Sequence, residues 1–149
     1  MLEVIKFSRD HLQCLSEFPE MVYLREHITD AHLEAWENSD WCFTGLWDNK
    51  VICCAGFHSW YPFAPEARAE AWAFVDRGAR DAMRAVVSEM LEVLKAVPVR
   101  RVEAVVDDDF PRGHRLMQIL GFKLETPDGM AGYRPDGTKA YLYSFVREV

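Results

Sequence analysis

FVDRGARDAMRAVV, residues 74–87, reads as the end of a strand that turns through Arg77-Gly78 straight into an amphipathic helix. From Arg80 onward Met83, Val86, Val87, Met90, Leu91 and Leu94 recur on one helical face through Lys95, and Pro98 closes the segment. A strand that feeds a helix in this way leaves unpaired backbone N–H groups at the helix start, where the peptide dipoles favour an anion. Gly78 lets the backbone approach such an anion closely, and the Arg77 and Arg80 guanidinium groups offer it charge-assisted hydrogen bonds. The stretch therefore predicts an α/β layer, with a turn that reads either as a phosphate site or as a plain strand-to-helix turn with solvated arginines.

The flanking sequence extends that layer in both directions. EAWAFV (70–75) is the strand that leads into the turn, and the segment 61–67 before it, with Pro62 and Pro65, cannot lie in a central ladder because proline lacks an N–H. WCFTGLW (41–47) and VICCAGFHSW (51–60) form a hairpin through Asp48-Asn49. EVIKF (3–7) is a strand, after which Ser8 or Asp10 can cap a helix. A second helix is expected between Pro19 and Asn38, with Leu24, Ile28, Ala31 and Ala35 on its buried face. Downstream, RVEAVV (101–106) is a buried strand, and Asp109 is placed to cap a helix that carries Pro111 in its first turn and stops at Gly121. GFKLE, a Gly/Pro/Asp-rich loop over 126–137, and the alternating strand KAYLYSFV (139–146) complete the order β-α-α-β-β-β-α-β-α-β-β. The expectation is one α/β domain over residues 1–149, with a mixed central sheet of about six or seven strands flanked by helices.

Composition narrows the partners. Of the 149 residues 50% are hydrophobic, enough for a core, and the net charge of −7 speaks against nucleic acid as a whole-surface partner. No apolar run is long enough to span a bilayer, and MLEVIKFSRD lacks the pattern of a signal peptide, so a soluble, cytoplasmic chain without membrane partners is expected. Cys14, Cys42, Cys53 and Cys54 show no CxxC spacing and read as reduced structural thiols. His27 and His32 are five apart, and no HExxH is present, so no metal site is expected.

The element order, the Arg77-Gly78 turn and the segment GHRLMQILGFKLE (113–125) together resemble the GNAT superfamily of N-acetyltransferases over nearly the whole chain. The resemblance implies acetyl-CoA as cofactor and acetyl transfer to a small amine or a protein amino group. It implies that backbone groups of Ala73, Phe74 and Val75 pair with the pantetheine arm, and that Arg77, Gly78, Ala79 and Arg80 stand in the family's Q/R-x-x-G-x-G/A turn, with Arg80 at its second glycine. Leu120-Gly121-Phe122 match the end of the N-x-x-A-x-x-L-Y-x-x-x-G-F segment, while Gly113 replaces its alanine. Met117 stands where many members carry the tyrosine that protonates the leaving thiolate, and a thioether has no proton to give.

Acyl transfer to an amine needs a proton acceptor and a proton donor beside the thioester. Glu70 and Glu103, in the fourth and fifth strands, are the candidate bases. For the donor, water or Tyr141, Tyr143 or Tyr133 can replace the missing tyrosine, with Tyr141 and Tyr143 on one strand face. His58 and His114 are further titratable candidates, Asp107, Asp108 and Asp109 can attract a cationic amine, and Trp60, Tyr61 and Phe63 form an exposed aromatic cluster. The segment from GFKLE to the tyrosine-rich strand also resembles small GNAT-like proteins of tailed bacteriophages. That implies an alternative, a catalytically silent virion or assembly-associated protein whose partners are other phage proteins.

Overall fold

The computed structural model describes residues 1–16, 19 and 25–147. Its elements are β1 (Leu2–Lys6), α1 (Arg9–Leu12), α2 (Asp30–Glu37), β2 (Cys42–Trp47), β3 (Lys50–Ser59), β4 (Arg68–Val75), a 3-10 turn (Arg80–Ala82) running into α3 (Met83–Ala96), β5 (Arg101–Asp107), α4 (Pro111–Ile119), β6 (Lys123–Leu124) and β7 (Ala140–Val146). Among the described residues these elements follow one another in the order expected from the sequence. The seven strands form one hydrogen-bonded sheet in the order β1-β2-β3-β4-β5-β7-β6. It is mixed, because β4 and β5 pair in parallel whereas the β1–β2, β2–β3, β5–β7 and β6–β7 pairs are antiparallel.

Local chemistry explains most boundaries and corrects two expectations. Asp48 and Asn49 both take positive φ, 50° and 62°, which matches a two-residue hairpin turn to the right-handed twist of its strands. Gly121 sits at φ +83° just past α4, where the Phe122 N–H reaches back to the Met117 carbonyl at 3.0 Å. Ser8 starts α1, its backbone N–H donating to His11 Nδ1 at 3.1 Å. A single helix from Pro19 to Asn38 is not what forms. Thr29 is an N-cap: its Oγ1 accepts from the His32 N–H at 3.3 Å, and its own N–H donates to His32 Nδ1 at 3.2 Å, so α2 begins afresh at Asp30. Ala31 and Ala35 are exposed, Trp36 carries the buried side of α2, and Leu24 lies outside the described residues. Asp109 does not cap α4 either. Phe110 occupies the N-cap with no side-chain bond, and proline at the first helical position removes one N–H that would need a partner.

The chain packs as two compact units, residues 1–58 with 71–97 and residues 59–70 with 98–149. In the first, the indoles of Trp36 and Trp72 stack at 4.0 Å between ring centroids and 16° between planes, with Phe7 packed edge-on against both. In the second, β5 and β7 pair along their whole lengths, and Val102, Glu103, Ala104 and Val106 of β5 are buried, as are Met117, Leu120 and Phe122 of the following helix and turn. Gly113 of α4 is required by packing: a Cβ there would meet Phe110 and Val106 side chains at 2.7 Å. The thiols follow the burial. Cys42, Cys53 and Cys54 are buried and Cys14 is exposed, and burial pushes the Cys54 thiol up to about 12. An aromatic disulfide reagent at neutral pH is expected to titrate one thiol in the native protein and all four in denaturant; rapid native reaction of three or four would contradict this burial.

Candidate functional site

The turn after β4 lies in the first unit. Phe74 and Val75 are buried, and the chain leaves the strand with the Asp76 N–H bound to the Ile52 carbonyl of β3 at 2.7 Å. Arg77, Gly78 and Arg80 are exposed and Ala79 is buried. The backbone amides expected to face a phosphate are largely used internally: the Arg77 N–H donates to the Ser16 carbonyl at 2.7 Å, the Gly78 N–H to Asp76 Oδ2 at 2.8 Å, and the Ala79 N–H to the Asp76 carbonyl at 3.1 Å. Among the described residues, the N–H groups of Arg80 and Asp81, at the start of the 3-10 turn, have no such acceptor. Asp76 itself is 2% exposed, with Oδ1 accepting from the Ser16 N–H at 2.6 Å and Lys50 Nζ 3.6 Å from Oδ2. No sequence pattern pointed to it.

The second unit holds the candidate bases and donors, but the register sets them on different faces of the sheet: Glu103 lies across from Ser144, while Tyr143 and Tyr141 lie across from Ala104 and Val106. β4 pairs with β5 through Arg68↔Arg101, Ala69↔Val102 and Glu70↔Glu103. Glu103 is buried and clasped by two guanidinium groups, Arg68 Nε at 2.6 Å and Arg101 Nε at 3.1 Å, and Arg101 reaches on to Glu125 at 2.6 Å. Both Glu103 oxygens are thus occupied, which makes this residue an anchor for the β4–β5 pairing rather than an open proton acceptor. Glu70 is half-buried, and its charge, after burial itself, is the largest influence holding Tyr133 above the usual phenol range. Arg134, in the same loop as Tyr133, anchors to Asp107 Oδ1 at 2.6 Å. Asp107 is therefore tied up in an ion pair, while Asp108 and Asp109 remain exposed.

His114 fixes the roles of the tyrosines. Its Nε2 lies 2.9 Å from the Asp107 carbonyl, which can only accept, so Nε2 carries the hydrogen. In the neutral ring Nδ1 must then accept, and the partner at 2.7 Å is the Tyr143 hydroxyl. Tyr143 is buried and its proton points at His114, an arrangement that serves to pin α4 to the sheet. Tyr141 packs edge-on against His114 at 5.2 Å, with Lys139 Nζ 5.4 Å from its ring centroid, and the neighbouring Tyr141 holds Lys139 above its usual range. Met117 is buried and has no proton to offer.

Of the remaining candidates, His58 lies 5.9 Å from His32 between ring centroids, and burial, followed by the His32 charge, lowers its pKa. His27 is exposed in a turn. Phe63 is 87% exposed, Tyr61 packs on it at 5.7 Å, and Arg68 lies 4.7 Å over the Trp60 ring, so this cluster is a surface feature of the second unit. Among the described residues no group of three or more His, Cys, Asp or Glu side chains could hold a metal ion, and no helix is long and apolar enough to cross a membrane.

No family model matches the sequence, and no curated protein matches it. Solved structures do. Ard1 from Thermoplasma volcanium superposes with a TM-score of 0.73 at 17% identity, over 99% of each chain. A GCN5-related N-acetyltransferase from Kribbella flavida gives 0.69 at 16% identity, over 98% of each chain. YncA from Salmonella typhimurium, whose structure holds acetyl-CoA as its cofactor, gives 0.69 at 15% identity, over 99% of this chain and 94% of that one. At such identities the likeness establishes architecture alone: the chain has the fold of the GNAT N-acetyltransferases.

Proposed function

We propose that the protein is an acetyl-CoA-dependent N-acetyltransferase acting on a small amine or a protein amino group. One observation carries the reading: of the β4 residues only Arg68–Glu70 pair with β5, so the edge of Ala71–Val75 turned away from β3 has no strand partner among the described residues, in the middle of the strand order. Peptide groups that would otherwise be wasted there suit a ligand that carries its own amides in an extended chain, as the pantetheine arm does. Ala73, Phe74 and Val75 supply that edge in the proposal. The exposed Arg77 and Arg80 side chains, with the Arg80 and Asp81 amides, take the phosphates, a smaller amide set than the turn's sequence suggested.

Bound acetyl-CoA would supply an acetyl thioester. Glu70, directly or through a water, takes the proton from the attacking amine in this reading, since Glu103 is held by its two arginines. Tyr141 or a water gives the proton to the departing thiolate in this reading. A second reading, a catalytically silent protein of the same fold, is favoured by Met117 and by the internally bonded amides of Arg77, Gly78 and Ala79. Its bacteriophage form draws nothing from the structures named above, which come from cellular organisms.

Calorimetry with CoA and acetyl-CoA separates the two. Micromolar binding of both is expected, and R77A/R80A should weaken it about tenfold or more at low salt and less at high salt. Millimolar or absent binding to the unaltered protein would sink the enzymatic reading.

A further inference from the structure

The buried carboxylate of Asp76 serves none of the steps above, yet it is the most completely engaged side chain of the first unit's turn. Its Oδ1 accepts from the Ser16 N–H at 2.6 Å and its Oδ2 from the Gly78 N–H at 2.8 Å. The same two stretches are tied a second time, by the Arg77 N–H on the Ser16 carbonyl at 2.7 Å. A carboxylate with one oxygen on each of two backbone segments is a bidentate clip: neither segment can move without leaving a charged, buried oxygen unpaired, which is far costlier than losing an exposed bond. Lys50, 63% exposed at 3.6 Å, adds a solvent-screened countercharge and is no substitute for either amide.

We propose that Asp76 is a positioning residue for the cofactor, a role that rests on the acetyl-CoA reading. By holding the Gly78 amide inward it dictates which donors the turn leaves outward, the amides of Arg80 and Asp81 with the Arg77 and Arg80 side chains, and by holding Ser16 it makes the segment after α1 part of the same rigid unit. An anion taken up by the turn therefore also orders Ser16. The geometry at Gly78 supports the fixed spacing, since a Cβ there would stand 3.0 Å from Asp76 Oδ2.

Asp76→Asn is the discriminating change. It keeps the shape but replaces one acceptor with an NH₂ group, so only one of the two amides can stay bonded. CoA binding is expected to weaken about tenfold, while pantetheine, which lacks the phosphates, binds as before. Loss for both ligands in equal proportion would mean a merely structural role, and tighter CoA binding would mean that Asp76 acts by repelling the phosphates; either overturns the proposal. Should the variant not fold, amide hydrogen exchange on the unaltered protein decides: CoA should slow the Ser16 and Gly78 amides together, and slowing of Gly78 alone overturns the coupling. If the unaltered protein binds no CoA, the functional reading falls and takes this role with it, whereas CoA binding that is indifferent to Asp76→Asn removes this role alone.

Discussion

Trp36→Ala should cost about 4 kcal/mol, a large share of an ordinary domain's stability, and lower the melting temperature by roughly 10 °C or more. Trp36 is buried, stacks on Trp72 at 4.0 Å and meets Phe7 edge-on at 6.1 Å, so truncation opens a cavity lined by rings that cannot collapse onto an alanine. Trp36→Phe is expected to be much milder, because the ring contacts are kept and because the buried indole N–H of Trp36 has no hydrogen-bond partner among the described residues to lose. Calorimetric or circular-dichroism melting measures both. Equal losses for the two variants would show that the indole N–H has a partner of consequence.

Gly56→Ala is the second large effect, about 3 kcal/mol, and its cause is opposite: too much matter rather than too little. Gly56 lies directly across from Cys42 in the β2–β3 pairing, and a Cβ would stand 2.6 Å from Cys42 Sγ, 2.7 Å from its Cα and 2.7 Å from the Trp41 carbonyl oxygen. Two of those three atoms are backbone, fixed by the ladder. Gly45 gives the internal control, because a Cβ there meets Cys53 Sγ at the same 2.6 Å but otherwise only side-chain carbons at 3.3 and 4.0 Å. Rotation of one thiol relieves most of that, so Gly45→Ala should cost about 1 kcal/mol. Denaturant unfolding of the two variants side by side checks the ranking, and a Gly45 variant as damaged as the Gly56 variant would refute it.

These contacts also show what the sequence could and could not convey. The hairpin at Asp48-Asn49 and the stop at Gly121 were legible because the residues that demand positive φ are the turn. Helix α3 and the succession of strands and helices along the chain were legible because periodicity is a local property of consecutive residues, whereas the order of strands within the sheet was not. The break at Thr29 was missed although its signal was present: Thr29 and His32 have capping spacing, but a run of helix-compatible residues on both sides masked it. The state of the candidate site was beyond any local pattern. Asp76 meets an amide 60 positions away, Glu103 an arginine 35 away, and His114 a tyrosine 29 away. Whether a carboxylate is an open base or a clasped anchor depends on those partners, and nothing adjacent in the chain announces them.

The position of β7 carries a consequence for how the protein is made. β7 lies between β5 and β6, and all seven residues of β5, Arg101 to Asp107, find their antiparallel partners on it. During synthesis β5 emerges well before β7, and until then a row of unpaired peptide groups along β5 stands open to any neighbouring chain. The acidic charge of the chain, −7 in all, keeps nascent copies apart during that interval. Stalled or prematurely released chains that stop short of Ala140 should therefore be the aggregating species in the cell, captured by chaperones that recognise bare strand edges, while chains that have passed Val146 close the sheet on themselves.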